Sequence, residues 1–82
     1  MMQPKITGIK AVKPYMLDLV YETGERKSFD VTPYISGSWF GELRNYSYFK
    51  TVRLIDDGNH IEWPHGQDLA PHELYERSIP II

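Results

Sequence analysis

No cysteine occurs among the 82 residues of this chain, and that absence constrains its fold more than any other feature. A domain of this length buries roughly 60–65% of the surface its unfolded chain exposes. Small domains short of core area are often stapled by disulfides or a thiolate-held metal, and neither is open here. Stability must come from apolar packing in one core, which is all the length permits, and an oligomer would relieve the limit. The same absence removes thiol catalysis and every zinc site built on thiolates, and it suits a reducing, cytoplasmic setting.

The material for that core is rich in aromatic residues. Six tyrosines, three phenylalanines and two tryptophans make up 13% of the chain. Each carries large apolar area, and the Tyr and Trp rings add a polar tip suited to half-buried positions on a small sheet. Nine basic against eleven acidic side chains leave a net charge of −2 and a pI near 5.8. No global field therefore draws a polyanion, and direct nucleic-acid binding is not expected. Met1 to Ile9 holds no apolar run of signal length, and no stretch of eighteen consecutive apolar residues occurs. Neither a classical signal nor a membrane span is predicted.

Periodicity predicts a single α+β domain on an antiparallel sheet. Ile6 to Val12 reads as a strand, ended at Lys13-Pro14 because proline has no N–H for a ladder. In Tyr15 to Tyr21 the odd positions Tyr15, Leu17, Leu19 and Tyr21 are apolar or aromatic, while Asp18 lies on the other parity with Met16 and Val20. That is the pattern of a strand with one buried face. Glu22-Thr23-Gly24-Glu25 turns the chain, and Arg26 to Val31 extends again with Phe29 and Val31 on one face, completing a three-stranded meander. After Pro33, Ser36-Gly37-Ser38 offers hydroxyls to cap a short helix over about Trp39 to Arg44, whose apolar positions Trp39, Leu43 and Tyr46 fall at i, i+4 and i+7. Ser47 restarts a single helical turn through Tyr48 and Phe49. Thr51 to Ile55 is extended, and the turn Asp56-Asp57-Gly58-Asn59 joins it to His60-Ile61-Glu62-Trp63, which Pro64 ends.

A last helix is expected from Pro71 to about Arg77, with proline at its first position. Leu69 and Leu74 have the spacing of a hydrophobic staple, and Glu73 complements the helix dipole. Ala70 is a poor cap, so the Asp68 carboxylate is positioned to take orphan amide hydrogens. The order is β-β-β-α-β-β-α, without linkers, repeats or low complexity. In the closing Ser78-Ile79-Pro80-Ile81-Ile82, full burial of three isoleucines would contribute about 1.5–3 kcal/mol each. The tail is therefore expected to dock in the extended form set by Pro80. The domain's own sheet is favoured over a neighbouring subunit because a chain this small needs core area.

The run Trp63-Pro64-His65-Gly66-Gln67-Asp68-Leu69-Ala70-Pro71, followed by Leu74-Tyr75, resembles the signature of an uncharacterised bacterial family, domain-of-unknown-function family 2442. Leu19 to Glu25 with Phe29-Asp30-Val31 and Pro33 looks like the family's hairpin, and Gly41-Glu42-Leu43 with Phe49 and Val52 like its middle segment. The family usually has Asn where His65 stands. The resemblance implies a compact α+β domain, in some relatives fused to a helix-turn-helix domain, which is not expected here. It also implies one half of a two-gene arrangement like that of toxin–antitoxin systems, hence a small protein partner encoded by the neighbouring gene. It transfers no catalytic residues.

The residues suggest little chemistry of their own. His60, His65 and His72 with Asp68 have the donors for zinc or iron without the spacing of a ligand set, so no metal or other cofactor is expected. Glu62, Asp68, Glu73 and Glu76 would need a concave, desolvated pocket for acid–base work. Ser36 and Ser38 lack a His-and-acid setting. Lys5, Lys10, Lys13, Arg26 and Lys27 are read as protection of sheet edges rather than a basic surface, and Trp39, Tyr46, Tyr48 and Phe49 as core. The recognisable segment is the remaining candidate interaction surface, formed by Trp63, His65, Gly66, Asp68 and Tyr75. Within it Trp63 is expected to pack beneath the last helix while Pro64 and Gly66 shape the turn. Tyr34 and Tyr75 stand between core edge and interface. The expectation is a non-enzymatic binding or regulatory domain, the antitoxin-like partner of a small protein. An enzyme of unrecognised type and a small-ligand sensor are the alternatives.

Overall fold

A computed structural model describes residues 3–81 and shows the alternation of the second strand at the centre of a sheet. Strands β1 (Ile6–Val12), β2 (Met16–Tyr21) and β3 (Arg26–Asp30) form the meander, and a short β6 (Ile79–Pro80) pairs with β3. The order is β1-β2-β3-β6, antiparallel throughout. Leu17 and Leu19 are fully buried, with Phe29 and Lys27 opposite them on β3 and Ala11 and Ile9 on β1. Asp18, Val20, Arg26 and Ser28 occupy the other parity and face outward.

After β3 the chain runs through a 3-10 turn (Thr32–Tyr34), α1 (Gly37–Phe40), a second 3-10 turn (Gly41–Arg44) and α2 (Tyr46–Phe49). Then come the hairpin β4 (Arg53–Ile55) and β5 (His60–Glu62), and α3 (Pro71–Arg77). Leu43, Phe49, Ile61, Trp63, Leu69 and Leu74 from these segments join the inner face of the sheet in one buried core. The turn between β4 and β5 is tight, with Asp56 and Asp57 at φ 51° and 56° and Gly58 at φ 87°. A Cβ on Gly58 would stand 2.3 Å from the Ile6 carbonyl oxygen, so only glycine lets the hairpin press against β1.

The expected helix over Trp39 to Arg44 is two short pieces. With only four α-helical residues before the backbone tightens to 3-10 geometry, the i, i+4 relation is lost. Leu43 points into the core and Trp39, expected there too, is 51% exposed. Ser36 makes no side-chain cap, whereas Asn45 accepts from the Ser47 amide at 3.0 Å and starts α2. The extended segments on either side of the second turn are each shorter than expected, beginning at Arg53 and ending at Glu62. The Asp68 cap is also corrected. No side chain caps α3, and Asp68 is exposed, its backbone held in an antiparallel bridge with Glu62.

The tail adds a strand to the expected order, and backbone pairing rather than side-chain burial holds it. Ile79 lies opposite Ser28 on the outward face and is 70% exposed, and Ile81, whose amide donates to the Arg26 carbonyl at 2.7 Å, is 37% exposed. Full burial of these two isoleucines is thus not what docking achieves, and Ile82 lies outside the described residues. The five basic side chains do not share an edge. Lys5 pairs with Asp57 at 2.9 Å, and Lys27, on the parity of Phe29, is buried. Its ammonium donates to the Tyr75 carbonyl at 2.6 Å and lies 3.9 Å from the centre of the Tyr75 ring.

Among the described residues the buried Tyr21 hydroxyl has no hydrogen-bond partner, and its ring meets Tyr75 edge-on at 5.1 Å. Burial, with Tyr75 and Glu25 nearby, pushes this phenol up to about 12. Tyr21→Phe is expected to stabilise the domain by about 1 kcal/mol in urea unfolding, because it removes a buried polar group that nothing satisfies. The sign with pH follows from the raised value. Neutral Tyr21 favours folding in full below the unfolded phenol's value near 10, and that contribution is lost as the pH rises through about 12. The margin of the variant over the parent should therefore widen above pH 10.

Candidate functional site

The loop after β5 is built around a buried amide. Trp63 ends the hairpin in the core, its indole N–H donating to the Phe49 carbonyl at 2.7 Å, and the chain reverses through Pro64-His65-Gly66. The Gly66 amide returns to the Trp63 carbonyl at 2.8 Å, and Gly66 takes φ 91°, which favours glycine. Gln67 then points inward and is fully buried. Its Nε2 donates to the Trp39 carbonyl at 2.8 Å and to Glu42 Oε1 at 2.7 Å, and its Oε1 accepts from the Tyr48 hydroxyl at 2.7 Å. One amide thus ties the loop to α1, the following 3-10 turn and α2.

Above this anchor lie the exposed groups. The Tyr48 hydroxyl accepts the His65 amide at 2.9 Å, and the two rings stack at 5.1 Å. His65 Nδ1 is 2.8 Å from Glu42 Oε2. An ionised carboxylate only accepts, so Nδ1 carries the proton in this pair. The Trp39 indole N–H donates to the His65 carbonyl at 3.1 Å, and its ring meets Phe40 edge-on at 5.3 Å. The result is a ridge of Trp39 and His65 whose polar atoms are largely committed inward. It can offer apolar and aromatic area, and at His65 one nitrogen oriented by a carboxylate.

Of the five residues expected at an interaction surface, the structure brings only His65 and Gly66 to this ridge. Trp63 is fully buried and offers no side-chain area to a partner. Asp68 is exposed just beyond Gln67. Tyr75 belongs elsewhere, its hydroxyl donating to both Glu25 oxygens at 2.8 and 3.0 Å and its ring lying against Tyr21 and Lys27. That bond raises the Tyr75 phenol above its usual range and lowers Glu25 below the usual carboxylate range, where Thr23 adds a second donor. Trp39, Glu42, Tyr48 and Gln67 escape sequence reasoning as site residues. The one usable signal was a glutamine between Gly66 and the staple residue Leu69. Among the described residues, no three His, Asp or Glu side chains converge to hold a metal ion, and no helix is long and apolar enough to cross a membrane.

Compared with known proteins, residues 6–80 match the model of a family described as a protein of unknown function, DUF2442. No curated protein and no solved structure matches the chain.

Proposed function

This chain belongs to the DUF2442 family, and we propose that it acts as a protein-binding module, the antitoxin-like partner of another small protein, through the Trp39–His65 ridge. The observation that carries this reading is the state of Trp39. The residue is 51% exposed, yet the one donor of its ring is already spent on the His65 carbonyl. What it presents to water is almost entirely apolar carbon. A rigid aromatic side chain loses little conformational entropy on contact and gains from dehydration, the pattern of residues that dominate interface energetics. The buried Gln67 keeps the ridge in one arrangement before any partner arrives, which lowers the cost of binding. The resemblance to one half of a two-gene arrangement supports a small protein as the occupant.

The test is co-expression with the neighbouring gene product and measurement of the complex. Trp39→Ala is expected to weaken it about 30-fold or more, the ~2 kcal/mol of a hot-spot truncation, with the protein still cooperatively folded, and His65→Ala should weaken it less. A complex whose affinity ignores Trp39→Ala would move the interface off this ridge. One observation favours a second reading: an imidazole oriented by a carboxylate is also the arrangement of a general base. Absence of a complex, together with turnover that His65→Asn abolishes in a broad substrate screen, would make the protein an enzyme.

A further inference from the structure

A groove remains where the sheet outlasts its last strand. β6 pairs with β3 only at Lys27 and Ser28, while β3 continues to Asp30. The Arg26 carbonyl accepts from Ile81 and the Val31 amide donates to the Tyr15 carbonyl. By alternation, Arg26, Ser28 and Asp30 turn their peptide groups toward β6, and Lys27 and Phe29 turn theirs toward β2. Asp30 therefore presents its N–H and C=O along an edge where, among the described residues, no strand pairs with it. Beside that edge lies a half-open groove of about 370 Å³, with Met16, Pro33, Tyr34 and Ile79 as its largely apolar walls and Asp30 and Arg77 as its two charges.

Asp30 and Arg77 enter no ion pair among the described residues. Asp30 is nonetheless held in place, because its Oδ1 accepts the Thr32 amide at 2.9 Å, leaving Oδ2 available. A guanidinium suits a carboxylate in bidentate geometry. A fixed carboxylate with a neighbouring free carbonyl suits an ammonium, and the walls suit an apolar side chain. The volume is at the small end of the roughly 300–1,000 Å³ typical of ligand sites, which fits one small molecule and excludes a dinucleotide. We propose that this groove binds a free apolar α-amino acid as its zwitterion, the carboxylate on Arg77, the ammonium on Asp30 and the side chain against Met16, Pro33 and Tyr34.

Calorimetric titration of the whole chain with L-leucine and with L-phenylalanine tests it. One-to-one saturable binding is expected for at least one of them, at millimolar concentration or below. Affinity for phenylalanine should fall tenfold or more for N-acetyl-L-phenylalanine, which lacks the ammonium, and for L-phenylalaninamide, which lacks the carboxylate. Arg77→Gln and Asp30→Asn alter exposed side chains and should each lower affinity at least tenfold while leaving the melting temperature of the ligand-free protein unchanged. Amide shifts in the bound state should concentrate at Ser28, Asp30 and Arg77. No saturable binding of either amino acid, equal affinity for the blocked analogues, or binding indifferent to Arg77→Gln would each overturn the proposal.

Discussion

Trp63→Ala is expected to leave little folded protein at room temperature. The indole is fully buried, packs against Phe49 with ring centres 5.7 Å apart and satisfies the Phe49 carbonyl at 2.7 Å. Truncating a buried Trp costs about 3–5 kcal/mol, and the abandoned carbonyl adds about 1–3 kcal/mol unless water reaches it. A domain of this size has in total only about 4–12 kcal/mol, so the loss consumes most or all of it. Trp63→Phe separates the two contributions, because it keeps most of the packing and loses the hydrogen bond. Circular dichroism through a urea titration measures both variants. Fluorescence adds a check, since the chain has two tryptophans and the folded Trp63→Phe protein should emit from half-exposed Trp39 alone, at longer wavelength than the parent. A cooperative transition for Trp63→Ala within about 2 kcal/mol of the parent would mean that the site collapses around the gap.

The fold was legible where one local rule decided the outcome. The odd-position run from Tyr15 to Tyr21, the Gly24 and Gly58 turns and the Pro71 helix start all appear within a residue or two of where periodicity and turn chemistry put them. Errors came where two rules competed. Lys27 has the parity of Phe29 and Val31, which says inside, and a charge, which says outside. Parity won because the Tyr75 carbonyl and ring receive the ammonium, and residue 75 cannot be seen from residue 27 by any local pattern. Asp68 is a plausible cap by spacing alone, but the bridge to Glu62 holds its backbone and its carboxylate stays in solvent. Hydrophobicity alone puts the tail isoleucines inside, whereas the outcome is set by which parity of β3 an added strand meets. The candidate site was the least legible part. Its bonds join Trp39, Glu42 and Tyr48 to residues 17 to 28 positions away, and a long-range network of this kind leaves no period in the sequence.

Gln67→Glu should convert that network into a pH-dependent liability. The amide nitrogen now donates to Glu42 Oε1 at 2.7 Å and to the Trp39 carbonyl at 2.8 Å. A carboxylate there donates nothing, faces Glu42 as a like charge and is buried, while His65 is already engaged by the other Glu42 oxygen and Tyr48 supplies one compensating hydroxyl. Desolvation and like charge both favour the protonated acid, so the introduced carboxyl has a raised pKa in the folded state. Its protonated form retains folding in full below the unfolded carboxyl value near 4.3, and that stability is lost as the pH rises through the higher folded-state value. At neutral pH the variant is expected to be less stable than the parent by about 2–4 kcal/mol, the cost of orphaned groups plus a buried charge beside its like, with much of the deficit recovered near pH 4. Gln67→Leu removes the donor without adding charge, so its deficit of about 2 kcal/mol should stay nearly constant over the same range. Urea midpoints for both variants at pH 4, 5.5 and 7 distinguish the cases. Parallel pH curves for the two variants would mean that the loop opens to let water solvate the introduced charge, and the ridge carrying Trp39 and His65 would then not be held by this residue.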